Sequence, residues 1–430
     1  MITRIEAYGY RCFDRLSIDL GRYHVLAGAN GAGKTTLLDI LPLLGDLLRQ
    51  PRAARAFLER RRDDAPPRAH TLTELVHKRR GDTIAFAVEA RLPDRIVEIL
   101  AETSRAEFTQ RVPTHLRYEL RLRVEPHSLE VADEYLFLFP EQGARPAAGK
   151  FPQGITVSGH ALAEADWQPV ILRDGKTATR FLHETTTQDS DIPPLRIPPG
   201  TLALGTVPAD PTLFPAALWF AALLREGVVF FDPDWSTLRR PAPPGGPARL
   251  EESGQNIPWL ARDLQTSNPD RFASWVDHVR TALPQVSDVR AIEREEDNYA
   301  YFSVEYQGGY RVTSSGLSDG TLRILALTLL PYLDEKALPK LLVTEEPENG
   351  IHPRAIETVV HSLNGIYDSQ VWVSTHSPIV LANTELADVL AARLTADGSV
   401  EVIPGNLHPR LVDWRGGIDL GSLFAAGVLS

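Results

Sequence analysis

Eight consecutive residues constrain this chain more than any others: Gly28-Ala29-Asn30-Gly31-Ala32-Gly33-Lys34-Thr35. The run fits the pattern G-x-x-x-x-G-K-[ST], in which glycines let successive backbone N–H groups turn inward around a phosphate. It follows directly on Tyr23-His24-Val25-Leu26-Ala27, a short and largely apolar run that suits a buried strand. It leads into the apolar stretch Leu37 to Leu48, which reads as a helix that Pro42 is expected to kink or end. Strand, glycine-rich turn and helix N-terminus in that order make an anion site. The chain is therefore expected to be an α/β protein that holds ATP through Asn30, Gly31, Gly33, Lys34, Thr35 and Thr36. In such a site the lysine reaches the β- and γ-phosphates, and the Thr35 hydroxyl is a Mg²⁺ ligand.

Three later segments supply what a phosphate cradle alone lacks. Leu341-Leu342-Val343-Thr344-Glu345-Glu346-Pro347 is an apolar strand ending in two acids. Glu345 stands where a P-loop enzyme places the acid that holds Mg²⁺ through water, and Glu346, one step further out, can orient and deprotonate a water. Alone, the run equally fits any buried strand entering a charged turn. Ser315-Gly316-Leu317-Ser318-Asp319-Gly320-Thr321 precedes the apolar helix Leu322 to Leu330, so Ser318 reads as an N-cap, and a capped helix end is also an anion site. Val371-Trp372-Val373-Ser374-Thr375-His376-Ser377-Pro378 puts His376 at a strand end, a position that serves structure as readily as catalysis. Ser318 stands 27 residues before Glu345, and Glu346 stands 30 before His376.

In order and spacing, these motifs resemble the ABC-type ATPases, most closely the RecF/SMC/OLD branch of single-head ATPases. Tyr10-Arg11-Cys12-Phe13 resembles that branch's opening, Glu345-Glu346-Pro347-Glu348-Asn349-Gly350-Ile351-His352-Pro353 its acidic motif, and Ser374-Thr375-His376-Ser377-Pro378 its histidine motif. The resemblance covers residues 1–45 and 311–385. It implies an ABC-type head, a mixed sheet flanked by helices, with an antiparallel β subdomain and a helical insertion. It also implies a homodimer, or an assembly of dimers, that sandwiches two ATP molecules. Ser318 and Gly320 of one copy then contact the γ-phosphate held by Lys34 of the other, His376 senses that phosphate, and Arg11 lies near the nucleotide. Departures are visible. The glutamine that links Mg²⁺ to the intervening domain is not assignable, Gln110, Gln142 and Gln153 all being poor candidates, and Glu345 replaces the commoner Asp. The motif Ser318-Asp319-Gly320-Thr321 differs from the transporter type, which counts against a transporter energy subunit. The stretch after Pro404 is expected to be too short for the nuclease domain of OLD proteins. The role implied is a sensor or clamp ATPase of anti-phage defence or genome maintenance, working with a separately encoded effector. A RecF-like protein that clamps DNA in the presence of ATP is the alternative.

The remaining texture sets expectations for the rest of the chain. Residues 1–195 are read as a first lobe, 196–310 as a mainly helical insertion with return strands, 311–405 as a second lobe, and 406–430 as a tail that packs on its own domain. Alternating runs such as Thr83–Val88 and Leu116–Leu122 suggest an antiparallel sheet solvated on one face. The stretch 211–285 looks helical, broken by the Pro- and Gly-rich segment Pro241–Pro247. No sustained heptad is present, which excludes long coiled-coil arms. The formal charge of −11 speaks against nucleic-acid binding by the surface as a whole. A local excess exists between Arg49 and Arg80, ten basic residues against four acids, which suits either nucleic-acid phosphates, an acidic partner or a solvated face. The single cysteine, Cys12, rules out an intrachain disulfide and a thiolate metal cage. No signal peptide or membrane-length apolar run is seen, so the cytoplasm is the expected location.

Overall fold

The computed structural model describes residues 1–60, 66–102, 111–141, 167–174, 178–185, 192–411 and 419–428. By contact the chain divides into two compact units. One comprises Met1–Gly21, Asp39–Glu226 and Leu394–Val402; the other comprises Arg22–Leu38, Gly227–Arg393 and Ile403–Ser430.

The first unit is built on a seven-stranded antiparallel sheet in the order Phe13–Asp19, Ile2–Tyr10, Thr83–Arg91, His115–Val124, Leu129–Phe139, Gln168–Arg173, Arg180–Phe181. The expectation of a sheet solvated on one face fails for its central strands. Every residue from Ile84 to Ala90 is buried, whichever face it points to. The reason is a set of charges that satisfy one another inside. Arg117 spreads its guanidinium over three carboxylates, Nη2 to Glu6 at 2.8 Å, Nη1 to Glu89 at 2.8 Å and Nε to Glu119 at 2.7 Å, and all four residues are buried. A planar fork of five donors is what allows one cation to serve three acids away from water. The helix Pro215–Ala222 covers part of the sheet, with the Tyr118 and Phe220 rings 5.8 Å apart.

The N-terminus of the same helix meets another buried acid. Glu184 accepts the backbone N–H groups of Ala216 at 2.6 Å and Ala217 at 2.9 Å, donors that the first turn of a helix leaves unpaired. Burial pushes its pKa up to about 8, against the pull of those two N–H groups. A folded pKa above the ordinary glutamate value means that the fold favours the protonated form. The associated stability is fully present below the unfolded pKa and is lost as pH rises through about 8. Thermal melts of wild type should therefore lose, between pH 5 and pH 8, stability on the order of a few kcal/mol relative to Glu184→Gln. Parallel melting curves for the two proteins would contradict this.

The second unit contains a parallel sheet whose strands run in the order Val389–Leu394, Tyr23–Ala27, Gln370–Thr375, Leu341–Glu345, Val228–Phe230. Tyr23–Ala27 is buried along its whole length, as the continuous apolar run requires of a strand covered on both faces. Because the strands are parallel, Ala27, Glu345 and Thr375 all finish at the same edge, where ligands of open α/β sheets bind. Helices Ile257–Ser267 and Pro269–Ala282 pack with Asp319–Leu329, the helix that Ser318 caps and hence the signature helix, into one apolar core that includes Trp275. A three-stranded antiparallel sheet, Val286–Glu293, Ala300–Tyr306 and Arg311–Thr313, completes the unit.

Several local readings change. The apolar stretch after the glycine-rich loop forms two helices, Lys34–Leu38 and Ile40–Arg49, separated at Asp39 and not at Pro42, which sits harmlessly in the first turn of the second. The stretch expected to be helical contains the strand Val228–Phe230, which pairs with Leu341–Val343. The units also cut the chain at places other than 195, 310 and 405, because Tyr23–Ala27 finds its neighbours among strands more than 300 residues later. The tail folds onto its own unit: Leu420 is buried, and Leu423, Phe424 and Val428 pack against the same core. Gly421 is required there, since a Cβ would stand 2.1 Å from the Pro378 carbonyl oxygen. Trp414 lies outside the described residues. Among the described residues, no helix is long and apolar enough to cross a membrane.

Candidate phosphate-binding and hydrolytic site

The glycine-rich loop leaves the strand Tyr23–Ala27 and enters the helix that begins at Lys34. Gly31 and Gly33 take φ of 79° and 77°, a region that side-chain-bearing residues avoid. At Gly28 the constraint is space, since a Cβ would meet the Ala392 carbonyl oxygen at 2.3 Å. Lys34 is buried, and its Nζ donates to the carbonyls of Gly28 at 2.9 Å and Ala29 at 3.0 Å. Burial lowers the ammonium's pKa, and the nearby Glu346 and Glu345 oppose that shift. Asn30 and Gly31 are exposed at the loop's tip, and Thr36 is half-buried.

Glu345 ends its strand beside this loop. The Thr35 hydroxyl donates to its Oε1 at 2.5 Å. Burial raises the Glu345 pKa, the Thr35 bond lowers it, and Glu346 and Asp232 raise it further. A hydroxyl and a carboxylate, both hard oxygens, with further negative charge close by, fit a small divalent cation. Among the described residues there is no group of three or more His, Cys, Asp or Glu side chains arranged to hold a metal. Phosphate oxygens and water would complete the shell of a cation held at Thr35 and Glu345, as Mg²⁺ prefers. Asp232 escaped the sequence reading; it follows the three-residue strand Val228–Phe230, whose pairing placed it here.

Glu346 carries the clearest functional geometry. Its φ is 43°, in the left-handed region that costs a non-glycine residue roughly 1–3 kcal/mol. The conformation is held by Glu346 N–H to the Ser374 carbonyl at 2.9 Å and by Asn349 N–H to the Glu346 carbonyl at 3.0 Å. At the side chain, Asn349 Nδ2 donates to Oε2 at 2.5 Å, and His376 Nε2 lies 3.2 Å from Oε1. Burial and the neighbouring Lys34 lower the His376 pKa, while Glu346 raises it. Backbone strain of this kind persists only where its surroundings enforce it, and it concentrates at active sites.

Lys34, Thr35, Glu345, Glu346 and His376 are thus brought together. Ser318 is exposed and caps the signature helix, its Oγ accepting the Thr321 N–H at 3.2 Å, and it makes no hydrogen bond to any of the five. Gly320 faces the acidic loop of its own chain: a Cβ there would lie 2.6 Å from the Gly350 carbonyl oxygen. Arg239 holds the helix entry, donating to the Leu317 carbonyl at 2.5 Å and to Asp319 at 2.7 Å. Arg11 belongs to the other unit, where φ is 51° and the guanidinium donates to the Arg68 carbonyl. Gln110, Gln142 and Gln153 lie outside the described residues.

The basic segment is less basic in place than in sequence. Arg68 is buried between Asp39 and Asp46, Arg49 pairs with Asp46, Arg55 with Glu59 and Lys78 with Asp397. Arg61 and Arg62 lie outside the described residues, while Arg79 and Arg80 are exposed.

Comparison with known proteins agrees with this geometry. Residues 207–382 match the family model described as "AAA domain, putative AbiEii toxin, Type IV TA system". That range contains the signature helix, both acids and His376. Residues 1–57, with the glycine-rich loop, match a family described as "Protein of unknown function (DUF2813)". No curated protein matches the sequence. Among solved structures, the chain is similar to an Smc head bound to the C-terminal winged-helix domain of ScpA, with a TM-score of 0.50 and 13% identity, over 94% of this chain and 97% of that one. It also matches the SMC head domain from Thermotoga maritima, with a TM-score of 0.43 and 12% identity, over 94% and 98% of the two chains. Fold and ordered motifs together give this chain an ABC-type P-loop NTPase fold like that of an Smc head, and residues 207–382 are similar to the AAA-domain family model.

Proposed function

We propose that this protein hydrolyses ATP to ADP and phosphate in a Mg²⁺-dependent reaction, at a site that two copies complete. The observation that carries the reading is Glu346, strained into a left-handed backbone with its carboxylate between His376 and Asn349, beside Lys34 and the Thr35–Glu345 pair. Lys34 turns from its two carbonyl partners to the β- and γ-phosphates, and the inward backbone N–H groups of the loop bind the rest. Thr35 and Glu345 would hold Mg²⁺, and the ion would supply Lewis-acid stabilisation of charge on the phosphate oxygens. Glu346 accepts a proton from the attacking water. His376, with its pKa lowered, offers a neutral ring to the γ-phosphate end. Ser318 and Gly320, at the exposed N-terminus of a helix, close over that phosphate from the second copy, so ATP acts as the joint between them. A timing or sensing ATPase in anti-phage defence or genome maintenance, with a separate effector, fits this design, and the likeness of residues 207–382 to an AAA domain of a putative toxin–antitoxin family supports the defence role.

The test is direct. Titration with a fluorescent ATP analogue should show Lys34→Ala binding about 10- to 100-fold more weakly than wild type, the loss expected for charged hydrogen bonds to phosphate. Chelation of Mg²⁺ should abolish phosphate release by the wild-type protein. Equal affinities for the two proteins would refute the placement of the nucleotide.

A further inference from the structure

Two residues beyond Glu346, the chain buries another acid that this mechanism does not use. Glu348 is 7% exposed. Its Oε1 accepts the hydroxyl of Thr375, and its Oε2 is buried without a hydrogen-bond partner. Thr375 accepts in turn, its Oγ1 taking the Ser377 N–H at 2.9 Å. The turn that carries His376 is therefore pinned on both sides of the histidine, and the pin is anchored in the loop that carries Glu346. Glu346 N–H to the Ser374 carbonyl is a second brace between the same two strand ends.

An unpartnered group of the opposite charge stands close by. Arg323, on the signature helix Asp319–Leu329, stacks its guanidinium over Trp235 at 4.3 Å, and its Nε is buried with no hydrogen-bond partner. The acids whose fields reach it are Asp319, Asp232 and Glu348. Its Nε would lie 3.7 Å from a Cβ at Gly350, in the same loop as Glu348. One turn earlier on that helix, a Cβ at Gly320 would lie 2.6 Å from the Gly350 carbonyl oxygen. A buried guanidinium nitrogen and a buried carboxylate oxygen, each unsatisfied, cost free energy that only a partner recovers.

We infer that Glu348 is a positioning residue of the hydrolytic site: through Thr375 it sets His376 against Glu346, and its loop meets the signature helix where Gly350 lies against Gly320 and Arg323. The inference rests on the ATPase reading above. It gives a signature helix docked on a second copy a physical route to the base, because a shift of that helix moves Arg323 against the Glu348 loop.

The experiment uses the full chain as wild type, Glu348→Gln, Thr375→Val, Thr375→Ser, Arg323→Met and the double variant Glu348→Gln/Arg323→Met. Steady-state phosphate release, affinity for a fluorescent ATP analogue and the NMR titration of the His376 ring are read for each. The ring is assigned with His376→Gln. Glu348→Gln, Thr375→Val and Arg323→Met should each lower kcat about 10- to 100-fold, the range found when supporting residues around a site are lost, with nucleotide affinity unchanged. Thr375→Ser, which keeps the hydroxyl, should restore wild-type kcat. The double variant should be no slower than the slower single, as for two residues of one network. The His376 titration should move in Glu348→Gln and Thr375→Val and stay in place in Thr375→Ser. Wild-type kcat in both Glu348→Gln and Thr375→Val, a Thr375→Ser as slow as Thr375→Val, or a double loss equal to the product of the singles would each overturn the inference. If wild type releases no phosphate, the ATPase reading falls. The His376 titration then still decides whether Glu348 positions the histidine, an unmoved titration rejecting it.

Discussion

Glu346→Gln should lower ATP turnover about 10²–10⁴-fold, the usual cost of removing a general base, and leave ATP affinity unchanged. The amide has nearly the carboxylate's shape and can still accept the Asn349 bond at the same atom. The backbone bonds to Ser374 and from Asn349, which hold the left-handed conformation, do not involve the side chain at all. What disappears is the ability to take a proton. Lys34 and Thr35, which hold the nucleotide in this account, are untouched, so the defect should appear in kcat and not in binding. Single-turnover phosphate release beside a nucleotide titration separates the two quantities. A variant that hydrolyses ATP at the wild-type rate would remove Glu346 from the role of base, whatever its backbone strain signifies.

The parts of this site legible in sequence are those written in short, contiguous runs. A strand, three glycines, Lys34 and Thr35 need only their own order to declare a phosphate loop, and the two acids after an apolar run do the same at Glu345 and Glu346. Parallel pairing of those runs then brings their ends together. Contacts between distant segments were not legible. The alternating runs Thr83–Val88 and Leu116–Leu122 read as a wet face, because nothing local reveals that Arg117 meets Glu6 from the first strand and Glu89 from the neighbouring strand Thr83–Arg91. The strand Val228–Phe230 is three residues long, too short to show any period, so Asp232 carried no signal. The basic run from Arg49 to Arg80 looked like one feature, yet Arg68 is spent internally on Asp39 and Asp46. Glu348 stood in plain view within the acidic motif, but its link to Thr375 depends on two strands lying side by side.

In the proposed mechanism, one copy alone lacks a complete site. Ser318 stands exposed at the start of an eleven-residue helix, bonded only within its own first turn and to none of the residues around Lys34. An exposed helix N-terminus is built to receive an anion, and the γ-phosphate of ATP held by another copy is the anion this account assigns to it. Ser318→Arg should then bind ATP with near-normal affinity and fail to hydrolyse it, since the arginine blocks the approach of the second copy and costs only a helix cap, about 1 kcal/mol. Lys34→Ala should fail for the opposite reason, because its own loop no longer holds the nucleotide. Each defect lies on a different side of the shared site, so a mixed dimer of the two inactive proteins retains one site with both sides intact. The decisive measurement is phosphate release from Ser318→Arg and Lys34→Ala mixed under conditions where mixed dimers are shown to form. Activity should return, up to one working site per mixed dimer, whereas mixed dimers that release no phosphate would rule out a shared site.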